Sequence, residues 1–191
     1  MFVLDTENFK KAKLTIFLVI INSLIFLFFS SFNEYSHYFV QINDVIFRDF
    51  EIWRLFTAMF IHGDLIHLFS NMFGLFLFGV FVESFFSRKD FLLIYFISGL
   101  LGNIFSLFLL PSYIISFGAS GAVFGLIGAS LIIVIKERYT PLIFISLVYV
   151  LYFLVSSFTP GINYFAHIFG LIGGLLLGYF FQKANLKQIS Y

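Results

Sequence analysis

The feature that most constrains this chain is a series of long apolar stretches separated by short polar segments. A helix that crosses a bilayer needs about 20 mainly apolar residues. The stretches predict six such helices, at residues 14–32, 64–86, 91–110, 120–135, 142–158 and 164–181. We therefore expect an all-α membrane protein, a six-transmembrane-helix bundle that forms a single domain over residues 1–191, with a short tail at 1–13 and a loop at 33–62.

The composition agrees with a membrane protein and excludes several other classes. Of the 191 residues, 61% are hydrophobic and 11% are charged, whereas soluble proteins average about 25% charged residues. Lys and Arg number 11 against 10 Asp and Glu, a balance that disfavours nucleic-acid binding. The chain has no cysteine, which excludes disulfides, thiolate catalysis and cysteine-based metal sites. We expect neither a metal nor another cofactor.

The distribution of positive charge predicts that both termini are cytoplasmic, because cytoplasmic loops are enriched in Lys and Arg. Nine of the 11 basic residues lie at the termini or in the second and fourth loops, and only Arg48 and Arg54 lie elsewhere. The segment 33–62 is then external. Its mixture of aromatic, charged and amphipathic sequence predicts a structured interfacial loop, in which Trp53 suits an interfacial anchor.

Polar residues within the apolar stretches are the candidate site residues, because they are costly in a bilayer and usually face the protein interior or a water-filled cavity. Ser120 lies in SFGASGAVFGLIGAS and His167 in NYFAHIFGLIGGLLLG, where small residues four apart favour close helix packing. Ser120 precedes Lys136 by 16 positions, and His167 precedes Lys183 by 16. The two side chains are therefore predicted at one depth, a few ångströms below the outer surface.

A Ser/His pair at this depth has few acidic neighbours in sequence. From position 91 onward the only carboxylate is Glu137, in a cytoplasmic loop. Serine and histidine in the later helices would therefore act as a dyad or take an acid from earlier in the chain.

The second predicted helix supplies neutral hydrogen-bond donors at the same height. His67 and Asn71 are four apart and share one helical face, and Asn71 precedes Arg88 by 17 positions. Such donors, with the backbone N–H of Ser120, suit the oxyanion that forms when a serine attacks a carbonyl.

Each of these residues also has a purely structural interpretation. Ser120 is compatible with simple helix packing, and His67 and Asn71 with hydrogen bonds between helices. We interpret His62 as structural, and Glu83 and Asn103 as packing or loop-anchoring residues.

Taken together, these residues resemble the motifs of the rhomboid intramembrane serine proteases. The matching motifs are Trp53-Arg54, His62-x4-His67-x3-Asn71, Gly118-Ala119-Ser120-Gly121 and Ala166-His167-x2-Gly170-x3-Gly174. The resemblance implies that Ser120 is the nucleophile and His167 the general base and then acid, and that His67, Asn71 and the Ser120 amide stabilise the oxyanion. It implies structural roles for His62, Trp53, Arg54, Glu83, Gly121, Gly125, Gly170 and Gly174. This chain departs from many members at Phe169, where a small residue is common, and from some at Phe124, where tyrosine occurs.

The resemblance predicts a serine endopeptidase of a prokaryotic cell membrane. Its partners would be the lipid bilayer and transmembrane protein substrates, cut within or near the outer end of the membrane segment. The alternative is an inactive rhomboid-like chaperone or binding protein, although such a protein would be expected to lack Ser120 or His167.

A transporter is disfavoured because no repeat of broken helices is present, and a zinc protease because HExxH is absent. An aspartyl protease is disfavoured because Asp64 and Glu83 share one helix.

Overall fold

The computed structural model describes residues 12–136 and 163–189, with six isolated helical positions between 144 and 155. Most of these residues are helical. The helices are α1 Lys13–Ser31, α2 Asn43–Asp49, α3 Arg54–Thr57, α4 Leu65–Phe85, α5 Arg88–Leu109, α6 Ser120–Lys136 and α7 Tyr164–Ile189. Two 3-10 turns, Asn33–Tyr38 and Ala58–Phe60, and two short strands, β1 Gln41–Ile42 and β2 Ile115–Ser116, complete the described elements.

Within the described ranges, four helical segments are long and apolar enough to cross a membrane. They are Lys13–Ser31, Leu65–Phe85, Arg88–Leu109 and Tyr164–Lys183. Helix α6 is also apolar but has only 17 residues, about 25 Å at 1.5 Å per residue, which is less than the roughly 30 Å hydrocarbon core. The all-helical membrane class is thereby confirmed. The predicted helix 142–158 falls outside the described residues except at the six isolated positions, so the six-helix count and the cytoplasmic termini stay predictions.

Two helices extend beyond their apolar stretches because polar residues continue them, and only the end of α7 departs from its prediction by more than the few residues expected at a helix end. Helix α5 begins at Arg88 rather than at 91, since the Ser87 hydroxyl accepts a hydrogen bond from the N–H of Asp90 at 3.2 Å and caps the helix. Helix α7 continues to Ile189 rather than ending at 181. The added segment QKANLKQI contains mostly residues of good helix propensity, which hydropathy does not detect.

The segment between α1 and α4 is folded, as predicted, whereas its place outside the membrane stays a prediction. Its strand β1 pairs antiparallel with β2, with Gln41 opposite Ser116. Arg54 is buried there, donates to the carbonyls of His37 and Val40, and pairs with Glu51. We call the end of the bundle that carries this loop, β2 and the N-termini of α4, α6 and α7 the site end.

Helix α6 forms the centre of the described bundle. Every residue from Gly121 to Leu131 is buried, and α6 packs most extensively against α7, then α5 and α4. A helix that is apolar and buried all round belongs in the core of a bundle. By contrast, α1 exposes large apolar side chains such as Phe17, Leu24 and Leu27, as a helix facing lipid would.

Candidate active site

Ser120 is the first residue of α6, and the turn before it depends on glycine. Gly118 has a φ of +118°, a conformation that only glycine adopts readily. Its N–H donates to the carbonyl of Ala58 at 2.9 Å, which ties the turn to the loop segment. A Cβ on Gly118 would lie 2.8 Å from His67 Nε2. The turn therefore needs glycine both for its backbone and for the space beside His67.

His167 lies in the first turn of α7 and contacts Ser120 directly. The distance from His167 Nε2 to Ser120 Oγ is 2.7 Å, a hydrogen bond between residues 47 positions apart. The imidazole is buried, with 8% of His167 exposed, whereas Ser120 is half-buried. When Nε2 accepts the serine proton in this hydrogen bond, the ring is neutral and its own proton is on Nδ1.

An aromatic ring fixes the plane of the imidazole. Phe124, one turn after Ser120 on α6, stacks on His167 with ring centroids 4.4 Å apart and an interplanar angle of 10°. Phe124 occupies the position where some rhomboids have tyrosine, and it retains the ring surface without the hydroxyl. The other departure, Phe169, stacks on Phe105 of α5 at 3.8 Å and so fills a contact between helices.

Glycines bring the backbones of α6 and α7 into contact below the Ser120–His167 pair. A Cβ on Gly170 would collide with the carbonyl oxygen of Gly121, and a Cβ on Gly174 would collide with that of Gly125. Small residues permit this approach in membrane helices. The packing sets the register in which residue 167 lies level with residue 120.

His67 and Asn71 lie on α4 beside the turn that leads into Ser120. The Asp64 carboxylate accepts from the N–H of His67 at 2.7 Å and caps α4. Asn71 is buried, and its Nδ2 donates to the carbonyl of His67 at 3.0 Å. The same Nδ2 lies 3.9 Å from the position that a Cβ would take on Gly118. The structure thus gathers His67, Asn71 and the 118–120 segment at the site end.

His62 precedes α4 and borders His67 rather than Ser120 in the contacts of the described residues. The two imidazole centroids are 5.1 Å apart. Burial, with a smaller contribution from His67, lowers the pKa of His62 to about 4. His62 is therefore neutral at physiological pH, and its ring lies buried beside that of His67.

The other residues predicted to be structural include Trp53 and Arg54 in the loop and Glu83 on α4. Trp53 is 52% exposed at the loop surface, and Arg54 holds the loop as described above. Glu83, at the far end of α4, accepts hydrogen bonds from the N–H groups of Leu14 and Thr15 and from the Thr15 hydroxyl at 2.8–2.9 Å. It therefore caps the start of α1 in place of a local residue.

Sequence reasoning missed a polar network around the site, formed by Gln41, Asn43, Ser116 and Asn163. Asn43 Nδ2 lies within 3.3–3.4 Å of the carbonyls of Ser106, Leu110 and Pro111, and Gln41 Nε2 donates to the carbonyl of Asn103 at 3.1 Å. Asn103, singled out from sequence, donates to the carbonyl of Leu55 at 2.7 Å, as expected of a loop-anchoring residue. The sequence signal for Asn163 was its place just before a helix, where asparagine is a favoured cap.

Comparison with known proteins agrees with this architecture. Residues 49–184 match the family model of the rhomboid domain. A Bacillus subtilis protein named "Putative rhomboid protease YdcA" is 33% identical over 190 residues, 91% of this chain and 93% of that protein. Rhomboid-like protease 3 of Toxoplasma gondii is 33% identical over 72% of this chain and 54% of its own length. Inactive RHOMBOID-like protein 8 of Arabidopsis thaliana is 36% identical over 64% of this chain and 36% of its own length.

The apolar helices and their close packing define an integral, multi-pass membrane protein. The chain belongs to the rhomboid family. It spans nearly all of the bacterial relative but about half or less of the other two. Its protease relatives support an intramembrane protease-type function, and the family also contains a relative named as inactive.

Proposed function

We propose that this chain is an intramembrane serine endopeptidase in which Ser120 is the nucleophile and His167 is the general base and then the general acid. The observation that carries the proposal is the 2.7 Å hydrogen bond between His167 Nε2 and Ser120 Oγ. A serine hydroxyl is a weak nucleophile until an adjacent base takes its proton. Family membership supports the same reaction class.

The reaction proceeds by acyl transfer. Ser120 Oγ attacks the substrate carbonyl carbon as its proton passes to His167 Nε2, and a tetrahedral oxyanion forms. The carbon–nitrogen bond then breaks while His167 gives the proton to the leaving nitrogen. Water next attacks the acyl-enzyme with His167 again acting as base, and Ser120 is released.

Three groups at the site end suit stabilisation of the oxyanion. The backbone N–H of Ser120 lies at the N-terminus of α6. Amide hydrogens there have no acceptor within the helix and can donate to an anion placed at the helix end. Asn71 Nδ2 and the His67 imidazole border the turn at Gly118, two residues before the nucleophile. One such donor is typically worth about 10²–10³-fold in rate.

The substrate proposed is a transmembrane segment of another membrane protein, cut within or near its outer end. A helical peptide bond is hydrogen-bonded, so the segment must unwind locally before Ser120 attacks. Glycine or proline near the cut lowers that cost. We place the protein in a prokaryotic cell membrane with both termini inside, which the charge distribution and the near full-length bacterial relative support.

Cleavage by the full chain in proteoliposomes tests the proposal. A fluorogenic transmembrane substrate is incubated with the wild type, Ser120→Ala, His167→Ala and the matched control Ser70→Ala. Ser70 is an exposed serine of α4 whose hydroxyl donates to the carbonyl of Ile66 at 2.8 Å, so it has no part in the site. We expect the wild type and Ser70→Ala to cleave and the other two variants to lose cleavage. Turnover that survives Ser120→Ala would overturn the assignment of the nucleophile.

A second candidate is a rhomboid-like protein that binds membrane segments without cutting them. The relative named as inactive, 36% identical over 128 residues, is the observation that favours it. In the same proteoliposomes, this alternative predicts crosslinking of the wild type to the substrate with no product from any variant.

A further inference from the structure

Asn163 is the residue before α7, and its side chain joins three parts of the site end. Its Oδ1 accepts from the N–H of Ala166 at 3.0 Å, which caps the helix that carries His167. The hydroxyl of Ser106 on α5 lies 3.0 Å from the same Oδ1. Its Nδ2 donates to the hydroxyl of Ser116 on β2 at 2.9 Å. A single amide therefore connects α7, α5 and the strand that precedes α6.

The connection is placed symmetrically about the proposed dyad. Ser116 lies four residues before Ser120, and Asn163 lies four residues before His167. Below the dyad, α6 and α7 are held together by backbone packing at Gly121 and Gly170. The Asn163–Ser116 hydrogen bond supplies the matching link above it. Ser116 is 6% exposed and Ser106 is fully buried, so this link lies largely away from solvent.

We propose that Asn163 is a positioning residue: its side-chain amide holds the start of α7 against β2 and so keeps His167 Nε2 in line with Ser120 Oγ. This inference rests on the proposed serine-protease function. Among the described residues, the Asn163 side chain contacts Ala166, Ser106 and Ser116, so its effect on the dyad passes through these neighbours. Misplacement of a reacting group by about 1 Å can cost about 10²-fold in rate, so a link of this kind has a measurable kinetic effect.

Helix capping and the link to Ser116 can be separated by substitution. Ser116→Ala removes the acceptor of the link and leaves the cap intact. Asn163→Ser keeps an oxygen that caps a helix well, but its side chain is too short to take over both contacts. Asn163→Asp retains both, because a carboxylate accepts from the N–H of Ala166 and from the Ser116 hydroxyl, which then becomes the donor. Ser112→Ala, an exposed serine in the segment before β2, is the matched control.

The experiment measures kcat, KM, Tm and the rate at which a fluorophosphonate phosphonylates Ser120 with loss of fluoride, with the full chain in proteoliposomes. We expect Ser116→Ala and Asn163→Ser each to lower kcat and the phosphonylation rate about tenfold, with KM and Tm little changed. The double variant should be no slower than either single variant, because both remove the same link. Asn163→Asp should recover most of the rate, and Ser112→Ala should match the wild type.

Two results would overturn the inference while leaving the proposed function intact. One is a wild-type phosphonylation rate in Ser116→Ala and Asn163→Ser, which would make Asn163 a helix cap only. The other is a loss of rate that follows the loss of Tm across the variants, which would make its role stability alone. A wild type that neither cleaves nor reacts would instead contradict the proposed function, and the inference would fail with it.

Discussion

Phe124 stacks on the imidazole of His167 and is therefore a contact through which a single residue can orient the proposed base. The rings are nearly parallel, and Phe124 is only 2% exposed, so the phenyl ring covers one face of the imidazole inside the protein. Aromatic pairs of this kind contribute about 0.5–1.5 kcal/mol beyond the apolar area they bury.

Aromatic and aliphatic replacements of Phe124 should therefore show whether kcat depends on the stacked ring or only on an apolar side chain at this position. We expect Phe124→Tyr, which keeps the ring, to retain kcat within about twofold. Phe124→Leu should lower kcat roughly three- to tenfold, since about 1.4 kcal/mol corresponds to tenfold. The measurement is kcat for cleavage of a transmembrane substrate, with each variant compared at the same amount of folded protein. Equal rates for Phe124→Leu and the wild type would show that the stack does not orient His167.

The lowered pKa of His62 predicts that the free energy of unfolding depends on pH, whereas it predicts no effect on the catalytic step. Burial lowers its pKa to about 4 in the folded protein, from an ordinary value of 6.5. The unfolded chain therefore binds the proton more readily between pH 6.5 and about 4, and the free energy of unfolding falls as the pH falls through that window. Below about pH 4 the loss of stability from this histidine levels off at roughly 3 kcal/mol, because a pKa difference of one corresponds to about 1.4 kcal/mol.

The pH dependence is tested with Tm measured in detergent from about pH 7 down to about pH 4, the range over which this histidine titrates. The variant His62→Gln should show a flatter dependence than the wild type, because a glutamine does not titrate. The comparison cancels groups common to both proteins. Parallel curves for the two proteins would contradict the neutral, buried state of His62.

At the scale of elements, the contact of α6 with α7 determines whether the site forms. The Gly174 position has no room for a side chain, because its Cβ would collide with the carbonyl of Gly125. Gly174→Ala should separate the helices, lower the Tm and reduce cleavage, with a destabilisation of about 1–3 kcal/mol or more, typical of overpacking. The control is Ile172→Ala, an exposed position on the same helix, which should change little. Unchanged Tm and activity in Gly174→Ala would show that the helices are not in backbone contact.

The junction between α1 and α4 depends on Glu83. Glu83→Gln keeps one acceptor oxygen but puts an NH₂ group in place of the other, so hydrogen bonds from the start of α1 are lost. We expect a loss of stability of about 1–3 kcal/mol, the usual cost of leaving a buried polar group unpaired. Cleavage per folded molecule should be preserved, because Glu83 lies at the far end of α4. The control Glu34→Gln, at an exposed carboxylate, should leave Tm unchanged.

Hydropathy predicted where the long helices lie but not the residues at which they begin and end. Helices α1, α4, α5, α6 and α7 lie where apolar stretches indicated them, but their ends shift wherever a cap or polar helical residues take over, as at Ser87 and beyond 181. The two-residue pairing of β1 with β2 had no detectable sequence pattern. A strand pair that short has no alternation, and only tertiary contacts specify it.

At the scale of the whole molecule, counting positions from basic residues placed Ser120, His167 and Asn71 at one height. The equal number of residues from Ser120 to Lys136 and from His167 to Lys183 agrees with the contact between Ser120 and His167. Both segments are α-helical and therefore have the same rise per residue. The count does not extend to Asn163 or Ser116, which lie outside the membrane helices and meet only after the loop, α5 and α7 have packed. The chemical roles of all these residues stay predictions.

Locating a covalent adduct on the folded protein tests the proposed Ser120–His167 dyad. The full chain in proteoliposomes is treated with a fluorophosphonate, and the modified peptide is identified by mass spectrometry in the wild type and in His167→Ala. We expect a single adduct on Ser120, which forms much more slowly or not at all in His167→Ala. An adduct on another serine, or no adduct on a folded wild type, would contradict a Ser120–His167 dyad.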